Sequence, residues 1–72
     1  MNYIKRILER YCLSQLDFAL VLGMDRTYLN KLLRGHIRPH PHTVKKLAVG
    51  LAEVTGDDWL HHADQIRGDL NE

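Results

Sequence analysis

Apolar side chains recur every three or four residues along most of this 72-residue chain, which is the spacing that places them on one face of an α-helix. The first such stretch covers residues 2–12, and four more follow it. No useful run alternates apolar and polar residues, so we predict five short helices and no sheet. The predicted inner faces are, in chain order, Tyr3, Ile4, Ile7, Leu8 and Tyr11; Phe18, Ala19 and Leu22; Leu29, Leu32 and Leu33; Val44, Leu47, Ala48 and Leu51; Trp59, Leu60, Ala63 and Ile66.

Capping and turn residues mark where the second and third helices begin and end. Ser14 can cap the N-terminus of the second helix, and Asp25 can cap the third, which is predicted over residues 26–34. Gly23 lies between the two helices and Gly35 follows them; glycine enters the left-handed conformation that ends a helix without a Cβ penalty. Two short helices joined by a tight glycine-containing turn are a helix-turn-helix unit, which is predicted here over Ser14 to Gly35.

Similar signals divide the rest of the chain. Pro41 suits the first position of a fourth helix, where its missing N–H is not needed. A Thr-Gly pair at 55–56 ends that helix. Asp57 or Asp58 can cap a fifth helix, and residues 68–72 are expected to fray as a chain terminus.

Length and composition restrict the fold to one domain. Residues 1–72 are too few for two cores, and 44% apolar with 26% charged residues is typical of a folded chain. We therefore predict a single all-α domain, a compact bundle of five short helices. No nucleophile–base spacing and no glycine-rich phosphate loop occurs, so we expect neither enzymatic activity nor a cofactor.

One cysteine and the lack of a long apolar run bear on location. Cys12 has no second cysteine to pair with, so nothing requires an oxidising compartment; its apolar neighbours predict a small buried side chain. No run of 18 apolar residues predicts a membrane span, and the first residues lack the apolar core of a signal peptide. We expect a cytoplasmic protein that contacts no membrane.

The formal net charge of +1 hides an uneven distribution. Residues 26–46 carry six basic side chains and no acidic one, whereas residues 47–72 carry six acidic side chains and one arginine. Such a basic block is a candidate surface for a polyanion, although the charge asymmetry alone slightly favours an ordinary solvated face. The acidic end of the chain would face away from a polyanion.

The helix-turn-helix region carries a more specific pattern. It reads Ser14-Gln15-x-x-Phe18-Ala19-x-x-Leu22-Gly23-Met24-Asp25-Arg26-x-x-Leu29-x-x-Leu32-x-Arg34-Gly35, and Pro39, Leu47-Ala48 and the segment from Thr55 to Leu60 follow at matching spacing. This pattern resembles the Xre-type helix-turn-helix family, the group that contains lambda-type and Cro-type phage repressors. The resemblance implies a lambda-repressor-like fold and a sequence-specific transcriptional regulator, a repressor in type, that binds double-stranded DNA as a homodimer.

The resemblance also implies roles for individual side chains. Helix 26–34 would enter the major groove, where the residues at the family's base-reading positions are Arg26, Thr27 and Lys31, with Tyr28 and Asn30 second. Four residues would bind phosphates, which gives affinity without sequence information: Gln15, Arg34, Arg38 and Lys45. Arg26 is the most informative, because an arginine there can pair with O6 and N7 of a guanine.

Three leucines stand where the family usually has polar residues. Leu16 and Leu20 lie four residues apart on the second helix, on the side opposite its inner face. Leu33 replaces a usual glutamate on the third helix. Either the first helix or the N-terminus covers Leu16 and Leu20, or these leucines meet a protein partner or a second copy, since exposed apolar patches mark interfaces. The alternative function is therefore a protein-interaction module, antitoxin-like or adaptor-like, on the same fold; the fifth helix with Leu70 is a second candidate dimer surface.

The histidines do not predict a metal site. His36, His40 and His42 lie close in sequence, but structural zinc sites usually have four Cys and His ligands at closer pair spacing. Beside a phosphate backbone these histidines would carry a charge that depends on pH. His61 and His62 are expected on the surface of the fifth helix.

Overall fold

Five α-helices make up the structure, a computed structural model that describes residues 1–71. We number them in chain order: α1 is Asn2–Arg10, α2 is Gln15–Leu22, α3 is Arg26–Leu33, α4 is Pro41–Thr55 and α5 is Trp59–Leu70. Residues 1–71 contain no strand. The predicted all-α fold with five short helices is confirmed.

Side-chain caps define the starts of α2 and α3. Ser14 Oγ accepts a hydrogen bond from the backbone N–H of Asp17 at 3.0 Å. One carboxylate oxygen of Asp25 accepts a hydrogen bond from the N–H of Tyr28 at 3.2 Å. Each bond satisfies a backbone donor that has no partner inside its helix, so both predicted caps are confirmed.

The turn between α2 and α3 depends on a left-handed glycine. Gly23 has a φ of +66° and follows directly on α2. The next residue, Met24, donates its N–H to the Ala19 carbonyl at 2.9 Å, which closes the end of α2. Helix α3 ends at Leu33, one residue earlier than predicted, and Gly35 follows with a φ of +80°.

The core draws on every helix. Most predicted inner positions are buried, whereas Tyr11 and Leu60 are exposed and Tyr3 and Trp59 are only half-buried. Helix α4 packs along α5 and also contacts α2, so it lies beneath the helix-turn-helix. The buried apolar residues are Ile4, Ile7, Leu8, Phe18, Ala19, Leu22, Leu29, Leu32, Leu33, Val44, Leu47, Ala48, Leu51, Ala63 and Ile66.

Helices α2 and α4 approach closely at Gly50. A Cβ atom at this position would overlap Leu22 Cδ2 and would lie 3.4 Å from Phe18 Cε1. The missing side chain therefore leaves the space that Leu22 fills. This contact holds the first helix of the helix-turn-helix against the core.

The end of α5 differs from the expected frayed terminus. Residues 68–70 are helical, and two of them contact other parts of the molecule. A carboxylate oxygen of Asp69 accepts a hydrogen bond from the Tyr3 N–H at 2.9 Å, and the Leu70 carbonyl accepts one from Arg38 at 3.2 Å. These tertiary contacts oppose fraying; the part of the expectation that concerned Glu72 lies outside the described residues.

Two side chains have the opposite burial to the one expected. Cys12 is exposed and has a φ of +54°, because it lies in the turn after α1 and not on the inner face of a helix. His62 is 1% exposed and belongs to the core instead of the surface. Its ring nitrogens are hydrogen-bonded to the hydroxyl groups of Tyr3 and Thr55, which satisfies the polar atoms that burial removes from water.

No helix among residues 1–71 is both long enough and apolar enough to span a bilayer.

Candidate nucleic-acid interface

One face of α3 is buried and the other is open. The inner face packs Leu29, Leu32 and Leu33 into the core. The outer face carries Thr27 and Lys31, and Arg34 follows as the C-cap residue, so that three exposed residues are spaced four and three positions apart. This spacing places them in one row along the helix, so the structure brings together two predicted base-reading residues and one predicted phosphate ligand.

The N-terminal end of α3 adds a cation beside this row. Arg26 is the first residue of α3 and is exposed. Its neighbour Asp25 uses one carboxylate oxygen to cap the helix through Tyr28 N. Within residues 1–71 no ion pair holds the Arg26 guanidinium, so its N–H groups remain available to an incoming acceptor. Tyr28 itself is half-buried at the edge of the outer face.

Asn30, the remaining predicted base-reading residue, is hydrogen-bonded to α2. Its Nδ2 atom donates to Gln15 Oε1 at 3.0 Å, and both side chains are half-buried. Two residues that the resemblance assigned to separate tasks are therefore partners. No sequence signal predicts this contact, since the two residues lie 15 positions apart on different helices.

The start of α2 provides further donors. Ser14 satisfies the N–H groups of Asp17 and Phe18 through its side chain and its carbonyl. The N–H groups of Gln15 and Leu16, the first two of the helix, have no acceptor inside it. Free N–H groups at a helix N-terminus favour anions such as phosphate, so Gln15 lies where a phosphate contact is chemically suitable.

Two of the predicted phosphate ligands contact α5. Arg38 donates to the Leu70 carbonyl, one of the carbonyl groups at the C-terminal end of α5. Lys45 Nζ lies 5.1 Å from the centroid of the Trp59 ring, which is a cation–π contact. Both side chains are exposed, and the arginine retains N–H groups beyond the one it uses. These contacts link the basic block to the last helix and were not predicted from the sequence.

The apolar residues on α2 and α3 separate into two groups. Leu16 and Leu20 are 48% and 72% exposed, so neither α1 nor the N-terminus covers them. Leu33 is fully buried, and its predicted place on a partner surface is therefore wrong: the outer face of α3 lies elsewhere, and position 33 points into the core. Val21 and Val49 are exposed and line a groove of about 390 Å³ between α2 and α4.

The histidines that follow α3 lie at the surface. His40 and His42 stack with ring centroids 5.5 Å apart and planes inclined by 8°. Within residues 1–71 no group of three His, Cys, Asp or Glu side chains is placed to hold a metal ion. The described basic surface therefore consists of exposed Arg, Lys and His side chains around α3 and the start of α4.

Comparison with known proteins identifies one family. A family model described as "Helix-turn-helix" (HTH_3) matches residues 4–59, which is most of the chain. No curated protein and no solved structure gives a significant match. The matched range contains most of α1, all of α2 to α4 and therefore the helix-turn-helix formed by α2 and α3.

Proposed function

We propose that this chain, a DNA-binding regulator that belongs to the Xre-type, lambda-repressor-like helix-turn-helix family, is a sequence-specific repressor. In this proposal it inserts α3 into the major groove of double-stranded DNA. The observation that carries the proposal is the exposed row formed by Thr27 and Lys31 on α3 and by Arg34 at its C-cap, with Arg26 at the start of the helix. Sequence is recognised at base edges in the major groove, where an arginine can pair with guanine O6 and N7.

Base reading and phosphate binding fall to different residues in this proposal. Arg26, Thr27 and Lys31 contact base edges, with Tyr28 at the border of the same face. Around them Gln15, Arg34, Arg38 and Lys45 contact phosphates, which position the domain on the duplex without recognising sequence.

We further propose that two copies bind a near-palindromic site in the cytoplasm. Two recognition helices on one side of the duplex would lie about 34 Å apart, one helical turn. Two surfaces are candidates for the contact between copies. One is the leucine pair Leu16 and Leu20 on α2, and the other is α5 with the exposed Leu60 and the half-buried Leu70.

Selection of bound duplexes from a random DNA pool tests the proposal and yields the half-site at once. Fluorescence anisotropy on the selected site then gives affinity as a function of salt. We expect affinity to fall steeply with salt, as phosphate contacts require. Binding without preference over random DNA, or without salt dependence, would contradict the proposal.

Charge reversal on α3 locates the interface. The double variant Arg26→Glu with Lys31→Glu is expected to abolish specific binding. Its matched control is Lys5→Glu with Arg6→Glu, two exposed basic residues of α1 outside the proposed interface. Equal losses in both double variants would show that total charge, and not the face of α3, determines binding.

A second candidate function is a protein-interaction module on the same fold. The observation in its favour is the exposure of Leu16 and Leu20, because polar residues would be expected on an uncovered helix face. Replacing both leucines with serine leaves α3 intact. Sedimentation velocity at rising concentration shows whether the chain self-associates and whether this double variant stops it, while anisotropy shows whether DNA binding survives. Loss of association with DNA binding retained would assign this surface to a protein.

A further inference from the structure

We propose that Asn30 is a positioning residue that holds the carboxamide of Gln15 for phosphate binding, and that it does not read a base. This inference rests on the proposed DNA-binding function. It assigns Asn30 a role different from the one its place on the recognition helix suggests, and it makes the phosphate contact of α2 depend on a residue of α3.

The geometry of the pair supports this role. Asn30 Nδ2 donates to Gln15 Oε1 at 3.0 Å, and both side chains are half-buried. A carboxamide is planar, so a bond that fixes the direction of Oε1 also fixes the direction of Nε2. The oxygen, which a phosphate would repel, is occupied by Asn30. The Nε2 amino group remains free to donate, beside the unpaired N–H groups at the start of α2.

The chemistry at position 30 requires a donor. An asparagine can supply one from Nδ2 while its own oxygen stays free. A carboxylate there can only accept, so it would attract Gln15 Nε2 and turn Oε1 toward the phosphate. An alanine would leave the long Gln15 side chain without a fixed rotamer, and the entropy of ordering it would oppose DNA binding.

The place of Asn30 on α3 explains how it reaches Gln15. Asn30 lies three residues after exposed Thr27 and three before buried Leu33, so it stands between the exposed row and the buried face of α3. Asn30 therefore lies at the edge of the recognition face that borders α2. From there its carboxamide meets Gln15.

A double-mutant cycle on the selected DNA site tests the coupling. Asn30→Ala is expected to weaken binding about five-fold, the equivalent of one ordinary hydrogen bond, with an equal effect on specific and random duplexes. The loss should disappear in a Gln15→Ala background. The slope of affinity against salt should not change, because neither side chain carries a charge.

Asn30→Asp separates orientation from charge. It is expected to weaken binding more than Asn30→Ala in the wild-type background, and the part of its effect that comes from turning Gln15 should vanish in Gln15→Ala. A loss of equal size in both backgrounds would instead show simple repulsion of the phosphate by the new carboxylate, and would overturn the proposal.

Two further measurements make the result decisive. In the DNA-free protein, Asn30→Ala should shift the NMR signals of the Gln15 side-chain amide while urea unfolding stays close to wild type. Additive losses in the cycle, or a new base preference at one operator position in Asn30→Ala, would overturn the positioning role while the DNA-binding function stands. A wild-type chain that binds no DNA specifically would overturn both.

Discussion

The Tyr3 hydroxyl oxygen lies 2.6 Å from His62 Nδ1, and this hydrogen bond ties the start of α1 to α5. On the other side of the ring, Nε2 lies 2.9 Å from Thr55 Oγ1, which also accepts the Asp57 N–H at 3.1 Å. Either neutral tautomer satisfies the network: with the proton on Nε2, Tyr3 donates to Nδ1, and with the proton on Nδ1, Thr55 donates to Nε2. A neutral imidazole therefore joins α1, the end of α4 and α5 inside the core.

This buried histidine predicts a loss of stability in mild acid. Burial lowers the pKa of His62 below its ordinary value near 6.5, and the neighbouring His61 acts in the same direction, against the carboxylates of Asp57 and Asp58. The unfolded chain then binds the proton more readily than the folded one. The contribution of the neutral ring is fully present above about pH 6.5 and is lost as the pH falls from there through the folded pKa.

Urea unfolding between pH 7.5 and 5 measures this effect, and His61→Gln is the matched control. The exposed His61 should be replaceable without removing the decline in the free energy of unfolding, whereas His62→Gln should remove much of it. Should His62→Gln fail to fold, an NMR titration of the wild-type imidazoles serves instead. A His62 pKa at or above 6.5 would contradict the prediction.

The two helical glycines of α4 and α5 should respond to alanine in opposite directions. At Gly50 a Cβ would overlap Leu22 in the core, and overpacking of this kind costs about 1–3 kcal/mol, more than the gain of about 1 kcal/mol in helix propensity. At Gly68 nothing lies within 4 Å of the added atom, so Gly68→Ala should stabilise the chain by up to about 1 kcal/mol.

Denaturant unfolding of both variants compares them directly. Leu22→Ala provides a further check, because it removes the atoms that a Cβ at Gly50 would meet. Gly50→Ala should cost less in that background than in the wild type. A wild-type chain that accepts Gly50→Ala as readily as Gly68→Ala would show that α2 and α4 are not in close contact there.

The salt dependence of DNA-binding affinity should show which lysines contact phosphates of the duplex. If Lys45 contacts a phosphate as proposed, Lys45→Ala should reduce the slope of log affinity against log salt by up to about 0.9, the effect of releasing one counterion fewer. Lys5, an exposed lysine of α1, is the matched control and should leave the slope unchanged. The reverse pattern would place α1, and not the start of α4, against the duplex.

The left-handed backbone at Cys12 predicts a preference for glycine. With a φ of +54°, any side chain at this position meets a steric penalty of about 1–2 kcal/mol that glycine avoids, partly offset by the extra freedom of glycine in the unfolded chain. Cys12→Gly should therefore be more stable than Cys12→Ala in denaturant unfolding. Since Cys12 is exposed, its thiol should also react with a thiol reagent in the native protein. Equal stability of the two variants would argue against the left-handed turn.

Local chemistry predicted the frame of this domain. Ser14, Gly23, Asp25 and Pro41 mark helix boundaries through interactions with residues no more than five positions away, and such interactions can be inferred from the sequence alone. The apolar spacing predicted most of the core for the same reason. At the edges of the core the spacing misled: Tyr11 and Leu60 continue a helical pattern but lie at the surface.

Burial of individual residues required the packing of helices. The sequence placed Leu16, Leu20 and Leu33 in one class as unusual leucines, and the structure leaves the first two exposed and buries the third. The rotation of α2 and α3 about their axes separates these cases. His62 follows the same principle, because its hydroxyl partners lie on α1 and at the end of α4, 59 and 7 positions away.

The sequence by itself determined the number of helices, their caps, the helix-turn-helix and the basic block, because each depends on short-range spacing or on composition. Only the tertiary structure decided that Asn30 bonds to Gln15, that Lys45 lies over Trp59 and that His62 is in the core. These contacts join residues that are distant in sequence, and neither periodicity nor capping contains information about which of many distant polar groups will meet. The contact between Asn30 and Gln15, on which the proposed division between base reading and phosphate binding depends, is therefore set by how α2 and α3 pack.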